Sequence, residues 1–532
     1  MQPYRLTVDK FLDHAARWFG EVEVVEAVAG CVAGRTTYAE LRDRSNRLSG
    51  ALAALGVTLG ERVATLAWNT RHHLEVYYAT TGIGAVCHTL NPRQTAEHLA
   101  AIVEEAEDGV LAVAASLLPL ARELLSRCPT IRRVLVLDAP HSAGTAGLPV
   151  PVHALDELLA ATGAPVAWGE FDEETAAGLC YTSGTTGTPK GVLYTHRSDY
   201  LHTLRALQAD AMALTARDTL LLAVPMFHAN GWGLPFAAPA VGAKLVLPGR
   251  ATDGASLTRL MRDEAVTIAV GVYTVWIGVL DQLDREGGEL PALRRVLIGG
   301  STCPDAMLRR IEERLGVEVQ TSWGMTELSP LGTIAPPGAP RADSGSGRPV
   351  MGLDLKLTDA AGVTLPQQRG VVGHLRVKGA AVVDRYFKAE RDALDDEGYF
   401  ETGDLAMIDA TGTLRICGRS KDLIKSGGEW INPTEIEAIV GGDPAVACAA
   451  VIGRPDERWG ERPVLIVEPR LGHTLDARAL VHMLRGRIAD WWIPDEIARV
   501  PSMPLAATGK IDKTRLRADY ASGRIASERV GP

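Results

Sequence analysis

Between residues 37 and 55 the leucines at 41, 48 and 52 recur on one helical face. Thr37, with Glu40 three residues on, makes a capping-box pattern at the start of that helix. The run ERVATLAW (61–68) reads as a buried strand, HLEVYYATTGIGAV (73–86) as the helix after it, and GVLAVAA (109–115) and RRVLVLDA (132–139) as further strands. The same alternation returns over 217–335, with TLLLAVP, KLVLP, TIAVGV and RRVLIGG as strands and helices between them. Such alternation predicts an α/β fold with parallel-type sheets covered by helices. The block 346–418 changes character. Short strands such as LDLKLTD, GHLRVKG and GTLRICG, split by turn residues, predict a small β-barrel-like subdomain. From Ser420 a smaller α+β unit is predicted: DLIKSGGEWI, a helix at PTEIEAIVGG, then strands VACAAVIG and RPVLIVEP. Residues 523–532 read as a frayed end, and no internal repeat or coiled coil shows in the sequence.

At 532 residues the chain exceeds one ordinary core, which implies two or more domains. The expected division is a large N-terminal unit, 1–419, built from two parallel-type α/β subdomains and the small β subdomain, with a mobile C-terminal unit, 420–532. Hydrophobic residues make up 46% and charged residues 23%, as in a soluble globular enzyme. No apolar run is long enough to span a bilayer, and the start lacks the layout of a secretory signal. Seven cysteines stand without pairing motifs, which fits a reducing, cytoplasmic setting better than a disulfide framework or a zinc site. Cys180 reads as a small buried hydrophobe. The net charge of −10 argues against nucleic acid as a partner.

Chemistry concentrates first in YTSGTTGTPKG, residues 181–191. Its glycines free the backbone, its hydroxyls add donors and Lys190 adds a mobile charge. Such a nest of N–H groups with one ammonium suits a polyphosphate. A Gly/Ser/Thr-rich run is more often only a flexible loop. Here apolar strand-like flanks on both sides favour the phosphate reading. The Walker pattern fails, because Pro189 precedes Lys190 and Gly191 follows it.

This segment resembles the phosphate loop of the adenylate-forming superfamily: acyl-CoA synthetases, peptide-synthetase adenylation domains and firefly-type luciferases. AWNTRHHLEVYYA (67–79), GAVCHTLNPR (84–93), PMFHANGWGLPF (225–236), SWGMTELSPLG (322–332) and KSGGEWINPTEIE (425–437) look most like medium- and long-chain fatty-acyl-CoA ligases. The resemblance covers nearly the whole chain. It implies a ligase that activates a carboxylic acid with ATP and Mg2+ as acyl-AMP, then passes the acyl group to CoA by domain alternation.

Residue by residue, the resemblance implies the following. Thr182, Ser183, Gly184, Thr185, Thr186 and Gly187 cradle phosphates, with Lys190 at their far end. Glu327 and the Thr185 hydroxyl hold the metal. Trp323 stacks on adenine within Ser322, Gly324, Met325 and Thr326, and Gly299, Gly300 and Ser301 approach the base with bare backbone. Asp404 and Arg419 take the ribose. Lys510 is the lysine of adenylation, His228 lies between the acyl carboxylate and the thiol, and Lys421 is the hinge. Gly427, Gly428, Glu429 and Trp430 form the CoA side. Phe227, Asn230, Gly231 and Trp232, with Gly271, Val272, Tyr273 and Thr274, line the acyl pocket. An α-amino substrate would call for Asp where His228 stands. Three positions depart from the family pattern: Tyr273 replaces a common proline, His374 a usual glutamate, and Ala506–Ala507 a Lys-Thr-Ser type run. Homodimerisation is a family-level expectation. Two other readings stay open: an enzyme of the same fold that performs one half-reaction or loads a carrier protein, and a non-catalytic binder of acyl-adenylate.

Overall fold

The computed structural model describes residues 2–140, 144–182, 189–339, 345–427, 429–506 and 509–530. The helix predicted after Thr37 spans Tyr38–Ala54. Thr37 accepts from the Glu40 N–H and the Glu40 side chain returns the bond, so the capping box is complete. Leu41, Leu48 and Leu52 are all buried. The next helix, Arg71–Gly82, is shorter than the pattern predicted: Gly84 adopts φ +71° and the chain re-enters as strand Val86–Thr89. That glycine takes a left-handed turn no helix can contain.

Two large sheets dominate. The first runs Arg62–Leu66, Val86–Thr89, Val110–Val113, Arg133–Val136 and Val152–Ala154. Counted one to five along the chain, they lie side by side as five-four-three-one-two, all parallel. The second sheet repeats this order with Thr219–Leu222, Lys244–Leu247, Ile268–Gly271, Arg295–Ile298 and Glu318–Gly324. In each, strand two is flanked by one more parallel strand and then an antiparallel one: Ala176–Thr182 with Lys190–Thr195, and Glu23–Val28 with Cys31–Thr37. The molecule thus holds a repeat of topology where the sequence shows none. Burial on both faces demands only apolar strands, and many sequences meet that demand.

Leu353–Thr358, Val372–Gly379, Phe400–Ile408 and Leu414–Arg419 form an antiparallel meander. Its edge strands do not pair with each other, so the expected barrel-like block is an open sheet. A six-stranded sheet follows, from Ile424–Ser426 to Ser527–Arg529. Within the 523–532 tail expected to fray, Ser527–Arg529 is an edge strand of that sheet, paired with Glu496–Arg499; 531–532 lie outside the described residues. An Arg499–Glu528 ion pair and a Ser527–Glu496 hydrogen bond add to the ladder. Among the described residues no helix is long and apolar enough to cross a membrane, and all seven cysteines are free thiols.

Candidate active site

In open α/β sheets ligands collect beyond the carboxyl ends of the strands, where the strand order reverses. In the second sheet that point lies between Thr219–Leu222 and Ile268–Gly271, and both strands empty into one cavity of about 1,420 Å3. Lys190, His228, Trp232, Gly300, Trp323, Glu327, Asp404, Arg419, Lys421 and Lys510 all line it. Strand Arg295–Ile298 delivers Gly299 to Ser301 to its wall. A Cβ on Gly299 would sit 2.4 Å from Ser322 Oγ and 3.1 Å from the Trp232 ring, so only glycine fits there. Ser301 Oγ is buried with no partner among the described residues, a free hydroxyl at the expected nucleotide loop.

Asp404 is nearly inaccessible and is held from two sides. Arg419 Nε lies 2.7 Å from Oδ1, and Trp323 Nε1 donates to Oδ2 at 2.9 Å. Burial raises the pKa of this carboxyl, while Arg419, the Trp323 N–H and Lys510 oppose the rise. A carboxylate has about four acceptor sites, so capacity remains for sugar hydroxyls. Trp323 therefore does more than offer a ring: its indole edge orients the acid expected to take ribose.

Glu327 is likewise buried, and burial raises its pKa. Tyr386 donates its hydroxyl to Oε1 at 2.9 Å, and its ring lies beneath Lys190 Nζ at 4.8 Å. The Glu327 segment is gripped from behind. Tyr194 donates to Thr326 O, Val383 N to Glu327 O, and the buried Arg205 to Leu328 O and Leu331 O. His202 accepts from Leu331 N. None of these four side chains, Tyr386 included, belongs to a motif read from the sequence. Their bonds span tens to hundreds of residues and leave no local pattern. A buried carboxylate with one hydroxyl partner fits a hard divalent cation such as Mg2+.

Lys510 enters from the C-terminal unit. Its Cε lies 3.4 Å from where Gly300 would carry a Cβ. Burial first, then Arg419, draws its pKa down to about 8, against the pull of Asp404 and Glu327. Burial and the Lys510 charge hold His228 down at about 4, so this imidazole is neutral at pH 7. His228 opens a turn in which Ala229, Asn230, Gly231, Trp232 and Gly233 all have φ between +44° and +71°. This left-handed turn throws Trp232 against Gly299 and Gly300.

Several expected pocket residues are placed elsewhere. Asn230 is buried, and its amide oxygen accepts from Cys180 Sγ at 3.2 Å, so it braces the turn from below instead of facing substrate. Cys180, expected as a plain hydrophobe, is thus also a donor. Phe227 is buried against Trp68, and Gly231 against Pro235. Gly271 faces Trp276. Val272, Tyr273 and Thr274 turn to the C-terminal unit: Thr274 Oγ1 donates to Gly509 O, and Tyr273 lies beside Cys448. Of the expected acyl-pocket residues, Trp232 and Tyr273 line the cavity. Thr182, Ser322, Gly324, Met325 and Thr326 line it as well. Gly427, Glu429 and Trp430 lie on the Ile424–Ile431 hairpin, outside the cavity lining, with Trp430 exposed. Gly428 and the cradle residues Ser183, Gly184, Thr185, Thr186 and Gly187 lie outside the described residues. Lys421 sits exposed in the short turn Ser420–Asp422, where His374 Nδ1 meets Ser420 Oγ.

Two parallel sheets, a meander and a C-terminal unit that inserts a lysine beside a paired aspartate have the architecture of an adenylate-forming enzyme. The family models agree. The AMP-binding enzyme model matches residues 12–387, and the AMP-binding enzyme C-terminal domain matches 435–510. The chain belongs to the AMP-binding enzyme family. It is 41% identical over 530 residues to a medium-chain-fatty-acid–CoA ligase of Ectopseudomonas oleovorans, covering 98% of this chain and 97% of that one. It is also 41% identical over 525 residues to a 3-methylmercaptopropionyl-CoA ligase of Ruegeria pomeroyi, covering 97% of each. The ATP-bound MatB of Rhodopseudomonas palustris superposes with a TM-score of 0.83 at 26% identity, over 97% of this chain and 99% of that one.

Proposed function

We propose that this protein is an AMP-forming acyl-CoA ligase acting on a hydrophobic carboxylic acid, with the lid caught in its adenylate-forming arrangement. The observation that carries the arrangement is Lys510. A lysine near the C-terminus stands buried among Asp404, Glu327, Arg419 and His228, all from the larger unit. In the first half-reaction the acid's carboxylate oxygen attacks the α-phosphorus of ATP and pyrophosphate leaves. Asp404, oriented by Trp323 and Arg419, takes the ribose. The Lys510 ammonium faces the charge that builds on the α-phosphoryl oxygens, and such preorganised charge supplies most of this catalysis. Glu327 would hold Mg2+, which neutralises phosphate charge when bound.

In the second half-reaction the CoA thiolate attacks the acyl carbonyl and AMP leaves. Lys510 has no part in that step. The side of the lid that carries Gly427, Glu429 and Trp430, now outside the cavity, serves it after the lid turns about Lys421. The neutral His228 beside the cavity offers no anion for an α-amino group, which supports a plain acid over an amino acid. Two relatives at equal identity are named for a medium-chain fatty acid and a small thioether acid, so the reading stays at hydrophobic acids as a class. The free thiols support a cytoplasmic setting. A homodimer belongs to the same proposal and is checked by light scattering. The test is acid-dependent ATP–pyrophosphate exchange over a panel of acids, followed by addition of CoA. Exchange with hydrophobic acids and conversion to thioester support the reading. Absence of exchange with every acid sinks it, and exchange without thioester turns it toward a carrier-protein acceptor.

A further inference from the structure

Three successive residues beyond strand Ile268–Gly271 hold the lid. Thr274 Oγ1 donates to the Gly509 carbonyl at 2.9 Å. Gly509 has φ +83°, and a Cβ there would lie 3.1 Å from Val272 Cγ2. The positive φ favours glycine at that point, and the Val272 side chain packs closely against it. Tyr273, buried between them, lies beside Cys448 on the lid strand Val446–Asp456. The residue after Gly509 is Lys510, whose stem passes Gly300 into the cavity.

We propose that Thr274 is a positioning residue for Lys510: by fixing the carbonyl one peptide before the lysine, it sets where the ammonium meets the reacting phosphate. This rests on the reading of Lys510 as the lysine of adenylation. The Thr274–Gly509 bond joins the two units, so it exists only while the lid is in this arrangement. Its contribution belongs to acyl-adenylate formation and to no other step. Val272 and Tyr273 seat the same segment sterically.

The test compares Thr274→Val, nearly the same shape without the donor, with Thr274→Ser, which keeps it. Pyrophosphate exchange reads the first half-reaction, and thioester formation from supplied acyl-AMP and CoA reads the second. Thr274→Val lowers the exchange kcat roughly tenfold, the scale of one hydrogen bond, and leaves the second half-reaction at its normal rate. Thr274→Ser restores exchange. In a Lys510→Ala background the Val substitution adds no further loss, because it acts through the lysine. Gly509→Ala gives an independent arm, with an exchange defect at least as large and thioester formation spared. Equal losses in both half-reactions, or additive losses with Lys510→Ala, overturn the proposal. If Lys510→Ala itself leaves exchange intact, the reading beneath it fails. If Lys510→Ala lowers exchange strongly while Thr274→Val and Gly509→Ala leave it at the normal rate, only this inference fails.

Discussion

The two large sheets share one strand order, and the cavity described above opens at the reversal point of the second. There the strands end in Ala223–Gly233 and Val272–Thr274, backbone that turns away and leaves room. In the first sheet the equivalent ends carry Trp68 and Ser116, bonded to each other at 3.3 Å across the gap. Asn69 beside them is spent on the second sheet. Its amide donates to Leu222 O and Val224 O and accepts from Met226 N. Through Asn69 the first sheet braces the second, while its strand ends Thr182 and Lys190 reach the shared cavity. The strand order creates a place for a ligand, and the residues just past the strands decide whether it is used.

Substitutions separate the roles of the two copies. The largest effect is expected in the supporting sheet, where His88 and Asp108 form a fully buried pair at 2.8 Å. His88→Leu strands a buried carboxylate and costs about 3–5 kcal/mol. Denaturant unfolding reads that loss, and the rates per folded enzyme stay unchanged. Next, Lys510→Ala lowers pyrophosphate exchange about 10²–10³-fold with no comparable loss of stability. Asn69→Ala joins the two effects: about 1–3 kcal/mol of stability together with slower exchange, since the turn carrying His228 and Trp232 loses its anchor. Smaller still is a pH effect on the site alone. Lys510 works as a cation and its pKa is held near 8, so kcat/KM for exchange falls as pH rises through that value. Lys510→Arg removes this alkaline limb. Smallest is Thr37→Ala, about 1 kcal/mol from the lost cap, with kinetics unaltered.

Sequence alone reached what is local. The Thr37–Glu40 box, the apolar strands, and the glycines of 299–300 each express a constraint between near neighbours. The cavity members Lys190, Glu327, Asp404, Arg419 and Lys510 were legible through motif resemblance, and the structure brings them together. Three things were not legible. Tyr194 and Arg205 act across the fold on backbone carbonyls, which impose no residue type on their partners, and Tyr386 reaches the Glu327 carboxylate from 59 residues away. The tail strand gains its order from Glu496–Arg499, an edge that exists only after folding. Tyr273 and Thr274 sit in a segment that resembles an acyl-pocket wall, while Thr274 bonds Gly509 and Tyr273 lies beside Cys448, both far along the chain.

The left-handed turn at 229–233 bears on any attempt to redirect the enzyme by laboratory evolution. Side chains at Ala229, Asn230 and Trp232 occupy backbone angles that cost roughly 1–2 kcal/mol each for L-residues. A library randomised there would return mostly glycine, asparagine and aspartate, whatever acid was selected for. Diversity is better spent at His228, whose own backbone is extended, so that new substrates are sought without unwinding the mirror-image corner that aims Trp232.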